Sequence, residues 1–287
     1  MNENRAIPVE LLERIEGCIL PYSVGIWPNY TDGKQPLPWK KRLVASGTLV
    51  DLHGTPMLLT VGHFWLQLIK LTDRTPIDGI CLGIKSTKHI TLRFSDLKES
   101  DIIDDVRSDI LNDSFPKQGP DLLLIRIPTA KAEMASAAGK QFYSWGAETS
   151  SIPYEDQAWT LVGYPVELAD KDGQQLSTVA ATSKLVDILT TPDGHRYVDF
   201  QINVEKAPYR GFDTKPEAPG NLGGLSGSGL WYSPVETQRL SWRGEHSLQG
   251  VACFEYGRDG ALRTIRCHAR SSLQMLFDKF EDRYTAS

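Results

Sequence analysis

Short β-type runs separated by turn residues are the feature that most limits how this chain can fold. Such runs occur along most of its 287 residues, and the chain contains 24 glycines and 17 prolines. Runs of this kind predict β-strands, and frequent turn residues between them are typical of antiparallel all-β folds. Helical spacing of apolar residues is convincing only at the two ends, over residues 9–15 and 273–280. We therefore predict an all-β protein that ends in a helix.

The predicted strands form two sets of six, separated by a polar segment over residues 129–157 that has no strand pattern. A set of six strands is enough to close one small barrel. The two sets cover residues 18–26, 42–51, 56–60, 79–84, 90–94 and 122–127, and residues 158–163, 176–189, 197–204, 229–232, 248–254 and 262–268. The expected domains are an N-terminal helical segment (1–17), a first β-barrel (18–130), a linker (131–157), a second β-barrel (158–268) and a C-terminal helix (269–287). An acidic stretch over residues 96–113 is expected to be a loop or a weak helix.

Composition and charge narrow the class of protein. Hydrophobic residues make up 40% of the chain and charged residues 23%, which is typical of a globular protein. The net charge of −5 argues against a general binder of nucleic acids or anionic membranes, since both need a basic face. The sequence has no apolar run of about 18 residues and no basic leader with a cleavage site, so we expect a soluble cytoplasmic protein.

The four cysteines, Cys18, Cys81, Cys253 and Cys267, form no CxxC pair and no cluster with histidine at metal-ligand spacing. We expect buried, reduced thiols, in agreement with a reducing compartment, although sequence alone leaves a disulfide open. No metal and no organic cofactor is expected.

Three segments carry the residue types that acyl transfer needs: a base, an acid that orients it, and a nucleophile beside oxyanion donors. Two β-type runs joined by a polar turn lead to His63, at the end of the sequence LLTVGH. Asp121 stands directly before the apolar run LLLIRI, where its carboxylate can be buried beside the base. Ser226 lies in the sequence GGLSGSGLW, whose glycines allow a sharp turn that brings two N–H groups onto one oxyanion.

In this order, the segments SGTLV…LLTVGH, DLLLIRI and GGLSGSG resemble SGTLV…LLTAAHC, DIALLKL and GDSGGP of the trypsin/chymotrypsin-like serine protease family, in its bacterial type. The resemblance implies two six-stranded antiparallel β-barrels with the active site in the cleft between them. It also implies that His63, Asp121 and Ser226 form the catalytic triad of a serine endopeptidase, and that Gly224 and Ser226 form the oxyanion hole. Phe64 replaces the usual cysteine after the histidine, so the neighbouring disulfide is absent.

The same resemblance implies a polypeptide substrate and indicates which residues would bind it. The pocket floor would be set at Gly220, which carries no charge, and Glu255 would lie near the pocket rim. An extended peptide would add backbone hydrogen bonds to the strand beyond the nucleophile. The predicted substrate-binding residues are therefore Gly220, Val251, Ala252, Cys253, Phe254 and Glu255.

Leu225 stands where secreted members of that family carry an aspartate that pairs with a newly cut N-terminal amine. Leucine cannot accept an amine, so we expect the oxyanion turn to be ordered by other packing, by a ligand or by a protein partner that controls activity. No N-terminal cleavage is expected to be needed.

Alternatives stay open at this point. A catalytically silent binding module on the same fold would keep these residues without using them, because a fold does not guarantee an activity. Ser228 is a second candidate nucleophile, but Ser226 rather than glycine lies two residues before it. An α/β-hydrolase is disfavoured, because the G-x-S-x-G motif that starts at Gly224 ends at Ser228 and strands rather than a helix follow.

Overall fold

Two antiparallel sheets and four helices make up most of the described chain in the computed structural model. The structure describes residues 7–31, 43–85, 88–107, 110, 120–146, 158–165, 178–183, 185–190, 195–203, 205, 209–210, 222–236 and 241–285. One apolar cluster contains residues of both sheets and of the C-terminal helix, and a second cluster lies within the second sheet. The two sheets therefore share a core, and the residues predicted to form the site lie where they meet.

The first sheet holds two of the three predicted catalytic segments. Its strands are β1 (Ser23–Tyr30), β2 (Ala45–Leu52), β3 (Thr55–Thr60), β4 (Ile77–Lys85), β5 (Lys88–Arg93), β6 (Ile102–Val106), β7 (Asp121–Arg126) and β8 (Tyr143–Ser144). They pair in the order β5-β4-β1-β2-β3-β7-β6, with β8 parallel to β2. Strand β3 lies antiparallel to β7, with Thr60 opposite Leu123. The end of β3 and the start of β7 are thus neighbours.

The second sheet holds the serine segment. Its strands are β9 (Ala158–Gly163), β10 (Thr178–Ser183), β11 (Leu185–Thr190), β12 (Arg196–Asn203), β13 (Tyr209–Arg210), β14 (Gly229–Ser233), β17 (Ser247–Asp259) and β18 (Leu262–Ala269), and β15 (Val235–Glu236) pairs separately with β16 (Ser241–Trp242). The order is β11-β12-β18-β17-β14-β9-β10-β13. The register of β17 against β18 shifts twice, between Ala252 and Phe254 and between Glu255 and Gly257. Such bulges bend a strand and redirect its side chains.

The helices are α1 (Val9–Ile19), α2 (Gly62–Thr72), α3 (Thr129–Ala137) and α4 (Arg270–Thr285). The apolar face predicted for the C-terminal helix packs on the core, with its residues Leu273, Leu276, Phe277 and Phe280 all buried. None of the described helices combines the length and the apolar character that crossing a membrane requires. The predicted fold class, all-β with two antiparallel units and a C-terminal helix, is confirmed, although each sheet has eight strands rather than six in the described residues.

Several predicted boundaries are wrong. Helices α2 and α3 lie outside the two ends of the chain, where alone the helical spacing was convincing. In α2, Phe64 and Leu68 are both buried at a spacing of one helical turn, so a short apolar run at helical spacing was missed. The predicted strand 18–26 begins only at Ser23, after α1 and a 3-10 turn. The predicted strand 176–189 is two strands, β10 and β11.

The acidic stretch over residues 96–113 was predicted to be a loop or a weak helix, and its described part contains a 3-10 helix (Glu99–Asp101) and also a strand. It contains β6, which pairs antiparallel with β7 along its whole length, from Ile102 opposite Ile125 to Val106 opposite Asp121. Only Ile103 of this strand is fully buried. A strand with a single buried side chain has a weak sequence pattern, because its backbone partner rather than its composition stabilises it.

Candidate active site

The structure brings His63 and Asp121 together at the edge between β3 and β7. His63 is the second residue of α2, and Asp121 is the first residue of β7. The Asp121 carboxylate accepts the His63 backbone N–H at 2.8 Å and pairs with the ring Nδ1 at 2.7 Å. The Asp121 side chain is 3% exposed and that of His63 is 22% exposed. An ionised carboxylate can only accept, so the ring carries its proton on Nδ1 and presents a basic Nε2.

The electrostatics of this pair favour a basic imidazole. Burial removes the ring from water and by itself lowers the pKa of His63. The attraction of the Asp121 charge and the hydrogen bond to its carboxylate both raise that pKa, and together they outweigh burial. The pKa of His63 is therefore above its ordinary value of 6.5. This is the direction expected for a histidine whose protonated form a buried carboxylate stabilises.

Ser226 lies in two successive turns, which we call the serine turn (residues 222–228). The Leu225 N–H donates to the Leu222 carbonyl at 3.1 Å, and the Ser228 N–H donates to the Leu225 carbonyl at 2.9 Å. Gly224 and Gly227 have φ angles of 95° and 93°. These left-handed conformations suit glycine and are strained for other residues, so the glycine pattern of the sequence has a direct geometric cause.

The serine turn docks on the first sheet through Ser46 of β2. The Ser46 N–H donates to the Ser226 carbonyl at 2.8 Å, and its hydroxyl donates to the Gly224 carbonyl at 2.6 Å. The same hydroxyl accepts the Tyr164 N–H at 2.9 Å. Thr60, three residues before His63, donates to the Ser46 carbonyl at 2.8 Å. These bonds hold the serine turn beside the strand end that carries the histidine.

Sequence reasoning did not assign a role to Ser46. Its side-chain partners lie 178 and 118 residues further along the chain, so no local pattern indicates them. The one available signal was its place at the start of the motif SGTLV.

The Ser226 hydroxyl has its own partner in the second sheet. It donates to the Cys253 carbonyl at 2.8 Å. Within the described chain, no hydrogen bond joins this hydroxyl to His63, and neither the Gly224 N–H nor the Ser226 N–H donates to a backbone carbonyl. The hydroxyl can leave Cys253 by rotation between staggered positions of its first side-chain torsion. The two N–H groups are the predicted oxyanion donors.

The predicted substrate-binding residues divide into three groups. Gly220 lies outside the described residues. Val251, Ala252 and Cys253 are buried, and the serine turn uses both backbone groups of Ala252: its carbonyl accepts the Gly227 N–H at 2.7 Å, and its N–H donates to the Ser228 carbonyl at 2.8 Å. Strand β14 pairs with β17 only as far as Val251.

Phe254 and Glu255 lie beyond that point and pair with β18 along one edge of β17. The Glu255 carboxylate is already engaged within the protein. It accepts the Leu222 N–H at 2.7 Å, and its other oxygen lies 3.4 Å from Nε of Arg263. Glu255, predicted to lie near the pocket rim, thus also contacts the start of the serine turn from within the protein.

A buried histidine behind the site was not predicted. His268 of β18 is fully buried, and among the described residues neither of its ring nitrogens has a hydrogen-bond partner. Burial lowers the pKa of His268 to about 4, His195 and His63 add to the effect, and Asp121 and Asp105 oppose it. The ring is therefore neutral at pH 7.

All four cysteines are free thiols. Cys81, Cys253 and Cys267 are buried, whereas Cys18 is exposed, which corrects the prediction for that residue. Burial raises the pKa of the Cys253 thiol well above its ordinary value, which disfavours the reactive thiolate form. In the described residues, no group of three or more His, Cys, Asp or Glu side chains is arranged to hold a metal ion.

No protein-family model and no curated protein matches the chain. The chain is similar to the crystal structure of a thermostable serine protease from an extremophilic microorganism, with 13% identity and a TM-score of 0.46 over 90% of this chain and 96% of that chain. It is also similar to a structure from work on the coupled folding and binding of the intrinsically disordered VPg protein of Sesbania mosaic virus, with 14% identity and a TM-score of 0.41 over 87% of each chain. The chemistry of the site is therefore judged from its own geometry.

Proposed function

We propose that this protein is a serine endopeptidase in which Ser226 is the nucleophile, His63 the general base and Asp121 the residue that orients the base. The observation that carries the proposal is the two-point contact of Asp121 with His63, at the backbone N–H and at Nδ1. A carboxylate that only begins a strand would not need to contact one histidine twice. The contact holds the ring in one tautomer and one orientation, which is what a general base requires.

The reaction follows from these groups. The Ser226 hydroxyl turns from the Cys253 carbonyl to Nε2 of His63, gives up its proton there and attacks the carbonyl carbon of a peptide bond. The Gly224 and Ser226 N–H groups stabilise the negative oxygen that forms. His63 then passes its proton to the leaving amine, and an acyl-enzyme remains on Ser226. Water, deprotonated by His63, releases the acid product and restores the serine.

The substrate we propose is an extended polypeptide. Strand β14 pairs with β17 only as far as Val251. Beyond Val251, at Phe254 and Glu255, the described pairing of β17 is with β18. A peptide segment that lies beside such a strand forms backbone hydrogen bonds regardless of its sequence. Because Glu255 is engaged with Arg263, we do not expect it to select basic side chains.

A binding module without activity is the second candidate. The observation in its favour is that the Ser226 hydroxyl bonds to Cys253 rather than to His63. The two candidates differ in one property, the reactivity of Ser226.

Labelling with a fluorophosphonate probe separates them. We expect the folded wild-type protein to be labelled once per chain, at Ser226 by peptide mapping, and Ser226→Ala to be unlabelled. Ser228→Ala is the matched control, because it removes the neighbouring buried hydroxyl, and it should still be labelled at Ser226. Folded wild-type protein that stays unlabelled at a probe excess and pH 8 would refute the proposed function in favour of the binding module.

A further inference from the structure

The Glu255 carboxylate lies between the serine turn and Arg263. One of its oxygens accepts the N–H of Leu222, the first residue of the turn, at 2.7 Å. The other is 3.4 Å from Nε of Arg263, close enough for ionic attraction but without an aligned hydrogen bond. The two side chains are 10% and 11% exposed. This charge pair is largely shielded from water, where its mutual attraction is stronger than at a surface.

Arg263 provides a firm support for this carboxylate. Its Nη1 donates to the carbonyls of Gly260 and Leu262 at 2.6 and 3.1 Å, in the turn that joins β17 to β18. The guanidinium is thereby held by the backbone of the hairpin that carries Glu255. A charged group fixed in this way loses little further freedom when it holds a second group.

The start of the serine turn needs such an acceptor. Leu222 and Leu225 are both buried, in the cluster that contains Phe200 and Ile265. A backbone N–H beside buried leucine side chains has little access to water, and a missing acceptor there is costly. The Glu255 oxygen supplies the acceptor, so it determines where the turn begins.

The position of Leu222 matters for the chemistry because the two oxyanion donors follow it closely. The Gly224 and Ser226 N–H groups belong to the same pair of turns, whose hydrogen bonds start at the Leu222 carbonyl. Oxyanion stabilisation depends on donors that are held in place before the reaction. A shift of Leu222 would therefore also displace the Gly224 and Ser226 N–H groups.

We infer that Glu255, supported by Arg263, is a positioning residue that orders the oxyanion donors of the serine turn through the Leu222 N–H. The inference rests on the proposed function and extends it: the residue that resemblance assigned to the substrate pocket acts on the enzyme's own backbone.

The experiment compares steady-state cleavage and amide hydrogen exchange in the full-length protein. For a peptide with a neutral side chain at the cleavage site, we expect Glu255→Ala to lower kcat about tenfold or more, a fraction of what deletion of an oxyanion donor costs, with KM within about threefold. Glu255→Gln keeps an oxygen acceptor for Leu222 and should recover kcat to within a few fold of wild type. The Leu222 amide and those of residues 225–228 should exchange at least about tenfold faster in Glu255→Ala.

Asp199→Asn is the matched control. It disrupts a pair of similar burial in the same sheet, in which Arg266 donates twice to Asp199 at 2.9 Å. We expect it to leave kcat and the exchange of residues 222–228 at wild-type values. If Glu255→Ala does not fold, Arg263→Gln tests the same support, with faster Leu222 exchange as the expected result.

Three results would overturn the inference. One is unchanged exchange at residues 222–228 in Glu255→Ala, and another is faster exchange with an unchanged kcat. The third is a rise in KM in Glu255→Gln that is confined to substrates with a basic side chain, since this would make Glu255 a substrate-recognising residue. Failure of the proposed function is distinguishable, because wild-type protein would then resist the fluorophosphonate probe while the exchange experiment still reports whether Glu255 orders the turn.

Discussion

At the scale of single residues, the Asp121 carboxylate has the most demanding position. It is buried, begins a strand, and uses both of its oxygens on one partner, His63. Burial of a charge is costly unless hydrogen bonds compensate it. Asp121 is compensated by the residue that it orients, so its removal affects the orientation of the histidine more than the packing of the strand.

Asp121→Asn tests this directly. The asparagine oxygen can still accept one N–H, but an amide NH2 facing Nδ1 favours the wrong tautomer of the ring. We expect kcat to fall by about 10⁴-fold, while the free energy of unfolding falls by only about 1–3 kcal/mol. Steady-state cleavage and denaturant unfolding measure the two quantities. A kcat within a few fold of wild type would mean that another residue orients His63.

The pH dependence of activity should report the raised pKa of His63. Activity needs the neutral ring, so kcat/KM should rise with pH through a midpoint above 6.5, the ordinary histidine value. In Asp121→Asn both interactions that raise this pKa are lost, and burial, which lowers it, stays. The midpoint measured for the residual activity should therefore move to lower pH. A wild-type midpoint below 6.5 would contradict this assignment.

At the scale of elements, the serine turn is built against β2 rather than as an independent loop. Gly227 has a φ of 93°, and a Cβ added there would overlap the Ser46 carbonyl oxygen and the Thr60 hydroxyl oxygen. These two oxygens are the partners of the hydrogen bond from the Thr60 hydroxyl to the Ser46 carbonyl. The turn can therefore approach the first sheet this closely only because Gly227 has no side chain.

Gly227→Ala should displace the turn. We expect it to lower the free energy of unfolding by more than about 2 kcal/mol, since left-handed strain alone costs about 1–2 kcal/mol and the overlap adds to it. Fluorophosphonate labelling should be lost or slowed by orders of magnitude. Gly244→Ala is the control, because its φ is 90° but a Cβ there meets nothing within 4 Å. Gly244→Ala should lower the free energy of unfolding only by the backbone strain and should leave labelling unchanged. If both substitutions had equal effects on stability and labelling, the close approach of the turn to the first sheet would be contradicted.

At the scale of the whole molecule, His268 connects the two sheets electrostatically. It lies on β18 of the second sheet, yet the charges that act on it include Asp121 and Asp105 of the first sheet and His63 of α2. Its ring also packs 4.8 Å from the ring of Tyr197. The buried ring is neutral, so protonation of His268 lowers the stability of the folded protein.

Acid should therefore destabilise the protein through His268. The pKa of His268 is about 4 in the folded protein, whereas the ordinary value of 6.5 applies to the unfolded chain. Between these values the unfolded chain binds a proton that the folded protein does not, so stability falls as the pH decreases from about 6.5 to 4, by up to about 3 kcal/mol. His63 has the opposite sign, because its raised pKa gives stability below 6.5 that is lost as the pH rises through its folded pKa.

Denaturant unfolding at pH 7 and pH 5 measures this effect. His268→Gln keeps the other titrating groups, including His63 and Asp105, so the difference between the two proteins isolates His268. We expect the loss of stability from pH 7 to pH 5 to be smaller in His268→Gln than in wild type. The same loss in both proteins would show that the acid sensitivity comes from elsewhere.

The sequence alone determined the fold class, most strands and the three segments of the proposed triad. Strands such as β3 and β7 carry continuous apolar runs, and the glycines of the serine turn mark backbone conformations that only glycine adopts easily. These features are local, so a single sequence displays them. The predicted place of Ser226 beside the strand end of His63 followed from the resemblance. In the structure, Ser46 bonds to the Ser226 carbonyl and to Thr60, three residues before His63.

The tertiary structure decided what depends on remote partners. Strand β6 is stabilised by its backbone hydrogen bonds to β7. The Ser46 hydroxyl donates to the carbonyl of Gly224, 178 residues away, and the Glu255 carboxylate accepts the N–H of Leu222, 33 residues before it. His268 has no motif, and its low pKa comes from burial in the folded protein. In each case the stabilising contact joins two segments that are far apart in the sequence. Neither segment alone indicates that the two will meet, so a local sequence pattern cannot predict the contact.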